Sequence, residues 1–255
     1  MDSEIIIGIV GGVGPYAGLD LQAKILAQTQ ADCDQQHLAV IALSQPGSIP
    51  DRTDFLLGRT PINPAYALAD QLLRLAAAGA TIAAIPCNTA HAPAIWDVLQ
   101  AELRAAHCPL RVVHLIEVVA HSLLDSPRPP RRLGLLATTG TCLAQVYPQA
   151  LTPLGFEVCT PSADAQARLV QPAIYAPDYG LKAQGRATPR ARAALQRALA
   201  DLRRQQVEAV ILGCTELPLA FPGPTVDGLP VLDPTWLLAQ ALIQAVAPGK
   251  LKARA

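Results

Sequence analysis

Long uncharged apolar runs, an excess of either charge and closely paired cysteines are all missing from this chain of 255 residues. No apolar stretch continues far enough without charge to cross a bilayer, and no charged stretch followed by an apolar run opens the sequence. A soluble, cytoplasmic protein is therefore expected. The 20 Lys and Arg balance 20 Asp and Glu. Without a broad positive field, neither a nucleic-acid backbone nor an anionic membrane is an expected partner. The 6 cysteines include no CxxC pair, and without a secretory signal they read as reduced thiols rather than a disulfide framework. Zinc needs closely grouped Cys and His ligands, and the only neighbouring set is Cys87 with His91, so no metal is expected. Small-molecule chemistry is what these absences leave.

With 51% hydrophobic residues, the chain can bury a large core or two smaller ones. Runs rich in Ile, Val and Leu at 4–10, 38–43, 81–85, 110–115, 133–136, 156–159 and 207–212 read as buried parallel strands. Helical spacing at 19–29, 66–78 and 191–205 supplies the alternation of βαβ units. The fold class is α/β. Residues 126–132, dense in proline and arginine, suit a stiff solvated connection, and the tail 248–255 is expected to fray.

The chain also repeats itself. Ile7-Gly8-Ile9-Val10 corresponds to Leu133-Gly134-Leu135-Leu136, and Ala83-Ala84-Ile85-Pro86-Cys87 to Val210-Ile211-Leu212-Gly213-Cys214, with offsets that agree within one residue. The same alignment pairs the preceding helical segments and later pairs Val112-Val113-His114 with Val231-Leu232-Asp233. A doubled half places equivalent residues in equivalent positions. Two pseudo-twofold-related parallel-sheet domains are therefore expected, 1–112 with 228–255 forming the first and 113–227 the second, with the active site in the cleft between them.

Cys87 and Cys214 each follow a strand and precede small polar residues, Asn88-Thr89 and Thr215-Glu216, that suit the start of a helix. A helix N-terminus lowers a thiol pKa from its usual value of about 8.5, and its free N–H groups bind a carboxylate. Ligands of open parallel sheets bind beyond the carboxyl ends of the strands, so the doubled fold brings both sulfurs to one cleft. One thiolate and one thiol flanking a carbon can invert it, one as base and one as acid. Cys33, Cys108, Cys142 and Cys159 read as small buried hydrophobes. A rival reading makes Cys87 a nucleophile activated by His91, four residues on, but leaves Cys214 unexplained.

Gly11-Gly12-Val13-Gly14-Pro15, Pro86-Cys87-Asn88-Thr89-Ala90-His91 and Gly213-Cys214-Thr215-Glu216-Leu217 together resemble the aspartate/glutamate racemase family, over nearly the whole chain. Glu216 after Cys-Thr resembles the aspartate racemase branch, glutamate racemases typically carrying His there. The resemblance implies a two-domain α/β fold, no pyridoxal phosphate or other cofactor, a homodimer, and catalysis by Cys87 and Cys214 on both enantiomers of a small amino acid, aspartate or, less fittingly, glutamate. Some relatives replace the first cysteine with threonine, whereas this sequence keeps both. The family's arginine after the second strand is matched by Pro50-Asp51-Arg52-Thr53, and its lysine after an Ile-Tyr segment by Ile174-Tyr175 with Lys182. The repeat sets Asp178 opposite Arg52, near Lys182, so each half offers a cation to a dicarboxylate. Asn88, Thr89 and Thr215 are expected to hold the α-carboxylate. Thr139, in the counterpart of the first glycine-rich loop, is expected to line the cleft with its neighbouring threonines.

Other readings remain open on sequence. Gly12-Val13-Gly14 superficially suggests a dinucleotide loop, but its spacing departs from GxGxxG and no acidic residue ends the second strand. Hydantoin racemases, maleate isomerases and arylmalonate decarboxylases use the same cleft with altered contacts, the first with both thiols. A non-catalytic amino-acid-binding regulator on this scaffold is the alternative from another class.

Overall fold

The computed structural model describes residues 5–253. The first half runs β1 (Ile7–Gly11), α1 (Pro15–Gln28), β2 (Val40–Ser44), α2 (Arg52–Leu56), α3 (Ala65–Ala77), β3 (Ile82–Ala84), α4 (Pro93–Ala105), β4 (Arg111–Val113) and α5 (Leu115–Leu124). The second half opens with β5 (Arg132–Ala137), α6 (Thr139–Leu143), α7 (Val146–Leu151) and β6 (Glu157–Cys159). Next comes α8 (Ala163–Ala165), which passes through a π turn into α9 (Gln171–Tyr175). Then α10 (Leu181–Gln184), α11 (Pro189–Arg204), β7 (Ala209–Gly213), β8 (Thr225–Val226), β9 (Leu229–Leu232) and α12 (Pro234–Val246) complete the chain. No helix among the described residues is long and apolar enough to cross a membrane.

All seven expected strands form, and they build two sheets, β2-β1-β3-β4 and β6-β5-β7-β9-β8, parallel except for β8. The internal repeat holds at the level of register. Gly8 pairs with Ala83 and Gly134 with Val210, while Ala83 pairs with Val112 and Val210 with Val231. The two glycines are needed for the same reason. A Cβ on Gly8 would meet the side chains of Ala80 at 3.1 Å and Leu75 at 3.3 Å, and on Gly134 those of Leu202 at 3.0 Å and Val207 at 3.2 Å. The repeat equates Leu75 with Leu202 and Ala80 with Val207, so both halves seat their outer helix against a bare backbone.

Alternation along the strands divides the core. Ile7, Ile9, Leu133 and Leu135 join α1, α5, α7 and α12 in a layer between the sheets. Val10 and Ala83 face α3 and α4 on one outer side, and Leu136 and Val210 face α11 on the other. Both faces of each sheet are therefore buried, which is why these strands read as unbroken apolar runs. The central helices are exchanged: α12, at the end of the second half, packs on α1, and α5 packs on α7. This exchange locks the halves together.

Two expectations are corrected. The return to the first domain was set at 228, but β9 pairs with β7 and so belongs to the second sheet; the crossing falls at Asp233, whose side chain caps α12 through the Thr235 and Trp236 N–H groups. A β8–β9 hairpin closes through Asp227 and Gly228, both at positive φ. The tail does not fray at 248: Gln30 N–H donates to the Lys250 carbonyl at 2.7 Å and Thr29 bridges Leu251. Residue 4, the expected start of the first strand, and 254–255 lie outside the described residues. In the proline-rich connection, Arg131 stacks over the Phe156 ring and Arg132 pairs with Glu157, which fits a solvated face.

Candidate active site

Cys87 follows the end of β3 in extended conformation and opens a short 3-10 turn, Asn88–His91, rather than a full helix. The His91 Nδ1 lies 2.8 Å from the Cys87 carbonyl. A carbonyl oxygen only accepts, so Nδ1 carries the proton and Nε2 holds a lone pair. Burial, with His114 adding, depresses the His91 pKa to about 3, and the ring stacks on Trp96 and meets His114 edge-on. His91 thus braces the backbone of Cys87 and is not the base of a nucleophile pair.

The group that faces the Cys87 sulfur is Arg52, the first residue of α2. Arg52 is 7% exposed, and its guanidinium is aimed by Nη2 donating to the Val13 carbonyl at 2.9 Å and Nη1 to the Pro50 carbonyl at 3.3 Å. Burial works to lower its pKa; the Cys87 sulfur, Asp51 and Tyr175 outweigh that and hold it above the ordinary value. The Nε is buried without a partner.

Cys214 occupies the corresponding place after β7, where Gly213 is required because a Cβ there would lie 2.6 Å from the Leu135 side chain. Its thiol donates to Glu216 Oε2 at 3.0 Å, and Glu216 Oε1 accepts from Lys182 Nζ at 2.9 Å. Glu216 is 2% exposed. Burial opposes its ionisation, but Lys182, the Cys214 thiol and Arg52 together hold its pKa below the usual carboxylate value. Lys182 is pushed up despite its burial, by Glu216 first, then Cys214 and Tyr175. The expected lowering of the Cys214 pKa is reversed. Burial and then the Glu216 carboxylate drive it well up, with Lys182 opposing, and the 3-10 turn that follows begins only at Leu217.

Contacts between the halves bring the surroundings of both sulfurs to one seam: Arg52, beside Cys87, acts electrostatically on Glu216 and Lys182, beside Cys214. The two glycine loops reach across it: a Cβ on Gly14 (φ 130°) would lie 2.0 Å from Glu216 Oε1, and one on Gly140 would lie 2.9 Å from the Thr53 Cα. The first loop is bare for a carboxylate of its own chain, and the dinucleotide reading has no support there. Thr89 joins Thr138 at 3.1 Å and Thr141 at 2.8 Å, with Thr53 at 3.4 Å from Thr138. The Tyr175 hydroxyl, 3.2 Å from both Asp51 Oδ2 and Thr53 Oγ1, spans the cleft beside Lys182.

Of the expected site residues, Arg52, Lys182 and Glu216 interact electrostatically, Asn88, Thr89 and Thr215 directly follow the two cysteines in the chain, and all but Lys182 are buried. Thr139 is not part of the hydroxyl cluster; its Oγ1 accepts from Gln166 Nε2 at 3.4 Å and its N–H donates to Gln171, leaving Thr138 and Thr141 in the role expected of it. Asp178, the counterpart of Arg52, is exposed and paired with Arg190. Asp51 and Tyr175 were quoted only as parts of motifs, and Tyr147, which reaches Asn88 from the opposite half, was not singled out at all. Of the remaining cysteines, Cys159 lies on the edge strand opposite Gly134, beside Glu157 and Arg132. Burial raises the Cys142 thiol to about 11.

The model of the Asp/Glu/hydantoin racemase family matches residues 10–242. In structure the chain is similar to the aspartate racemase of Picrophilus torridus, with a TM-score of 0.80 and 26% identity, covering 97% of this chain and 96% of that one. It shares its fold with the glutamate racemase of Francisella tularensis in complex with D-glutamate, at a TM-score of 0.67 and 17% identity over 100% of this chain and 86% of that one. In sequence it is 24% identical to the broad specificity amino-acid racemase RacX of Bacillus subtilis, over 93% of this chain and 96% of the relative. A glutamate racemase of Limosilactobacillus fermentum is 31% identical over 56% of this chain, a match spanning about half, 49%, of that relative's length. With two buried thiols in duplicated positions and a family match across both halves, the chain belongs to the Asp/Glu/hydantoin racemase family.

Proposed function

We propose that this protein interconverts L- and D-aspartate without a cofactor, by proton transfer between Cys87, Cys214 and the substrate α-carbon. The observation that carries this reading is the wiring of each thiol to its own charged partner at one cleft: Cys87 beside Arg52, and Cys214 bonded to Glu216, which Lys182 holds. Inversion removes a proton from one face of the α-carbon and delivers one to the other. Cys214, kept as a thiol by burial and Glu216, donates in the resting arrangement, and Cys87 as thiolate takes the α-proton. After turnover the proton lies on Cys87 and the thiolate is Cys214. The parts exchange for the mirror-image substrate, from which the Cys214 thiolate takes the α-proton while the Cys87 thiol donates to the opposite face.

Negative charge grows on the α-carboxylate as the proton leaves, so donors from Asn88, Thr89 and Thr215 stabilise the transition state more than the ground state. Arg52 and Lys182 offer two cations, which suits a substrate with two carboxylates better than a neutral hydantoin. Lys182 being paired with Glu216, aspartate displaces Glu216 from Lys182 on binding. A homodimer accompanies this reading, in line with the exposed Leu19 and Leu26 on one side of α1, and light scattering decides it.

The test is loss of optical rotation, with α-proton exchange in deuterated water, across aspartate, glutamate, neutral amino acids and hydantoins without added cofactor. Aspartate is expected to turn over fastest. Cys87→Ala and Cys214→Ala are each expected to lower the rate by at least about 10³-fold while remaining folded. Full activity of either variant sinks the two-thiol mechanism, turnover of glutamate or hydantoin alone reassigns the substrate, and binding without exchange favours a regulator.

A further inference from the structure

Tyr147 lies in the layer between the sheets with none of its surface exposed. A phenolic hydroxyl sealed from water needs an acceptor, and this one reaches out of α7, in the second half, to donate to Asn88 Oδ1 at 2.6 Å. Asn88 directly follows Cys87. With its oxygen engaged, the carboxamide cannot turn over freely, and its Nδ2 is buried with no hydrogen-bond partner. An amide nitrogen left bare next to a buried thiol is a donor held ready for an acceptor that arrives later.

Two further features point the same way. Gln145, just before α7, sits in the left-handed region at φ 48° and ψ 35°, with no hydrogen bond from its own side chain to the helix end. Such a conformation costs a residue bearing a side chain and gathers where the chain must be aimed. Here it separates α6 from α7 and starts the turn that carries Tyr147 into the core. The repeat sets Leu21 of α1 at the position of Tyr147 and Thr215 at that of Asn88, so the first-half helix has no such hydroxyl to offer. The fold does not require a tyrosine in this layer.

We propose that Tyr147 is a positioning residue, whose hydroxyl fixes the Asn88 carboxamide with its NH2 directed at the substrate α-carboxylate on the Cys87 side. The identity of that acceptor rests on the two-thiol reading, while the coupling of Tyr147 to Asn88 does not. Burial, with Asp233 adding, drives the phenol pKa far up, so the hydroxyl remains a donor across the working range of pH.

Tyr147→Phe removes the hydroxyl and keeps the ring. It is expected to lower kcat/KM for both enantiomers about tenfold. In an Asn88→Ala background the same substitution is expected to change kcat/KM by less than about twofold, because the residue it acts through is gone. In ¹H–¹⁵N spectra the Asn88 NH2 pair, assigned by its loss in Asn88→Ala, should be protected from solvent exchange in the parent and lose that protection in Tyr147→Phe. Equal losses in both backgrounds would mark Tyr147 as core packing and overturn the proposal, as would an Asn88 pair that does not respond. If Tyr147→Phe fails to fold, fluorotyrosine at 147, a stronger donor, must shift the Asn88 pair in the opposite sense. Should the parent racemise no acidic amino acid, the aspartate reading falls, and the amide signals still decide the coupling.

Discussion

Around Cys87 and around Cys214 the backbone agrees to the level of strand register, yet the side chains that reach the two sulfurs carry opposite charge. The Arg52 guanidinium lies beside the first, and the Glu216 carboxylate is 3.0 Å from the second. Both neighbours lie beyond the strands, Arg52 at the start of α2 and Glu216 in the turn after β7, where duplication leaves side chains free to diverge. In the proposed mechanism acid and base are distinguished by these side chains rather than by the fold that presents the thiols. Each half also supplies a cation, but only Lys182 is already neutralised within the chain. Among the described residues Arg52 has no carboxylate ion-pair partner, whereas Lys182 holds Glu216 through Oε1 and leaves Oε2 to the Cys214 thiol.

The largest expected effect comes from erasing this difference at Glu216. Glu216→Gln removes the charge that holds Cys214 up and leaves a mostly buried Lys182 ammonium unpaired. Racemisation should fall about 10²-fold. Stability should fall by roughly 3 kcal/mol, the order found when one partner of a buried pair is removed. Alkylation of Cys214 by iodoacetamide at pH 8 should quicken several-fold relative to Cys87 in the same molecule, read by peptide mass spectrometry. An unchanged ratio of the two would mean that Glu216 does not set the state of its thiol.

Arg52→Lys addresses the other side. An ammonium cannot reproduce the fork that bonds the Val13 and Pro50 carbonyls while facing Cys87. The KM for aspartate should rise about tenfold with a smaller change in kcat, and an unaltered KM would remove Arg52 from the carboxylate site. The glycine loops offer a matched pair of smaller perturbations. Gly14→Ala places a methyl against Glu216 at a strained φ, and Gly140→Ala places one against the Thr53 backbone. Each should destabilise by about 1–3 kcal/mol, but only Gly14→Ala should alter the ratio of Cys214 to Cys87 alkylation.

The seven main strands and the repeat were legible because a strand buried on both faces leaves an unbroken apolar run, and a doubled half leaves its glycines and cysteines in register. Helix-start signals after the cysteines were misleading: Asn88–His91 form only a 3-10 turn, the turn after Cys214 begins only at Leu217, and burial with the Glu216 carboxylate decides the state of the Cys214 thiol. Repeat arithmetic predicted a cation position near Asp178, yet that side chain is exposed and paired with Arg190, since register fixes where a backbone runs and not where a loop side chain points. Tyr147 left no local signal, because it acts on the half of the molecule to which it does not belong, and Tyr175 was legible only as a motif neighbour of Lys182.

The smallest expected effect separates the bracing of Cys87 from its chemistry. His91 is held neutral, with a folded pKa of about 3 against an ordinary 6.5. Between those values the unfolded chain binds a proton that the folded chain refuses, so stability rises with pH across this window, is fully present above 6.5 and is lost progressively as pH falls toward 3. His114, whose pKa burial also lowers, adds to the same slope. Asparagine can offer a donor where Nδ1–H stood, so His91→Asn retains the bond to the Cys87 carbonyl while removing one titrating ring. Thermal melts from pH 7 to pH 4 should show a shallower decline in this variant than in the parent, with racemisation at pH 8 reduced by less than about threefold. No counterpart is expected around Cys214, where Thr215 to Leu217 contain no histidine. A variant that instead loses activity as completely as Cys87→Ala would return His91 to the chemistry and restore the reading in which it activates the first thiol.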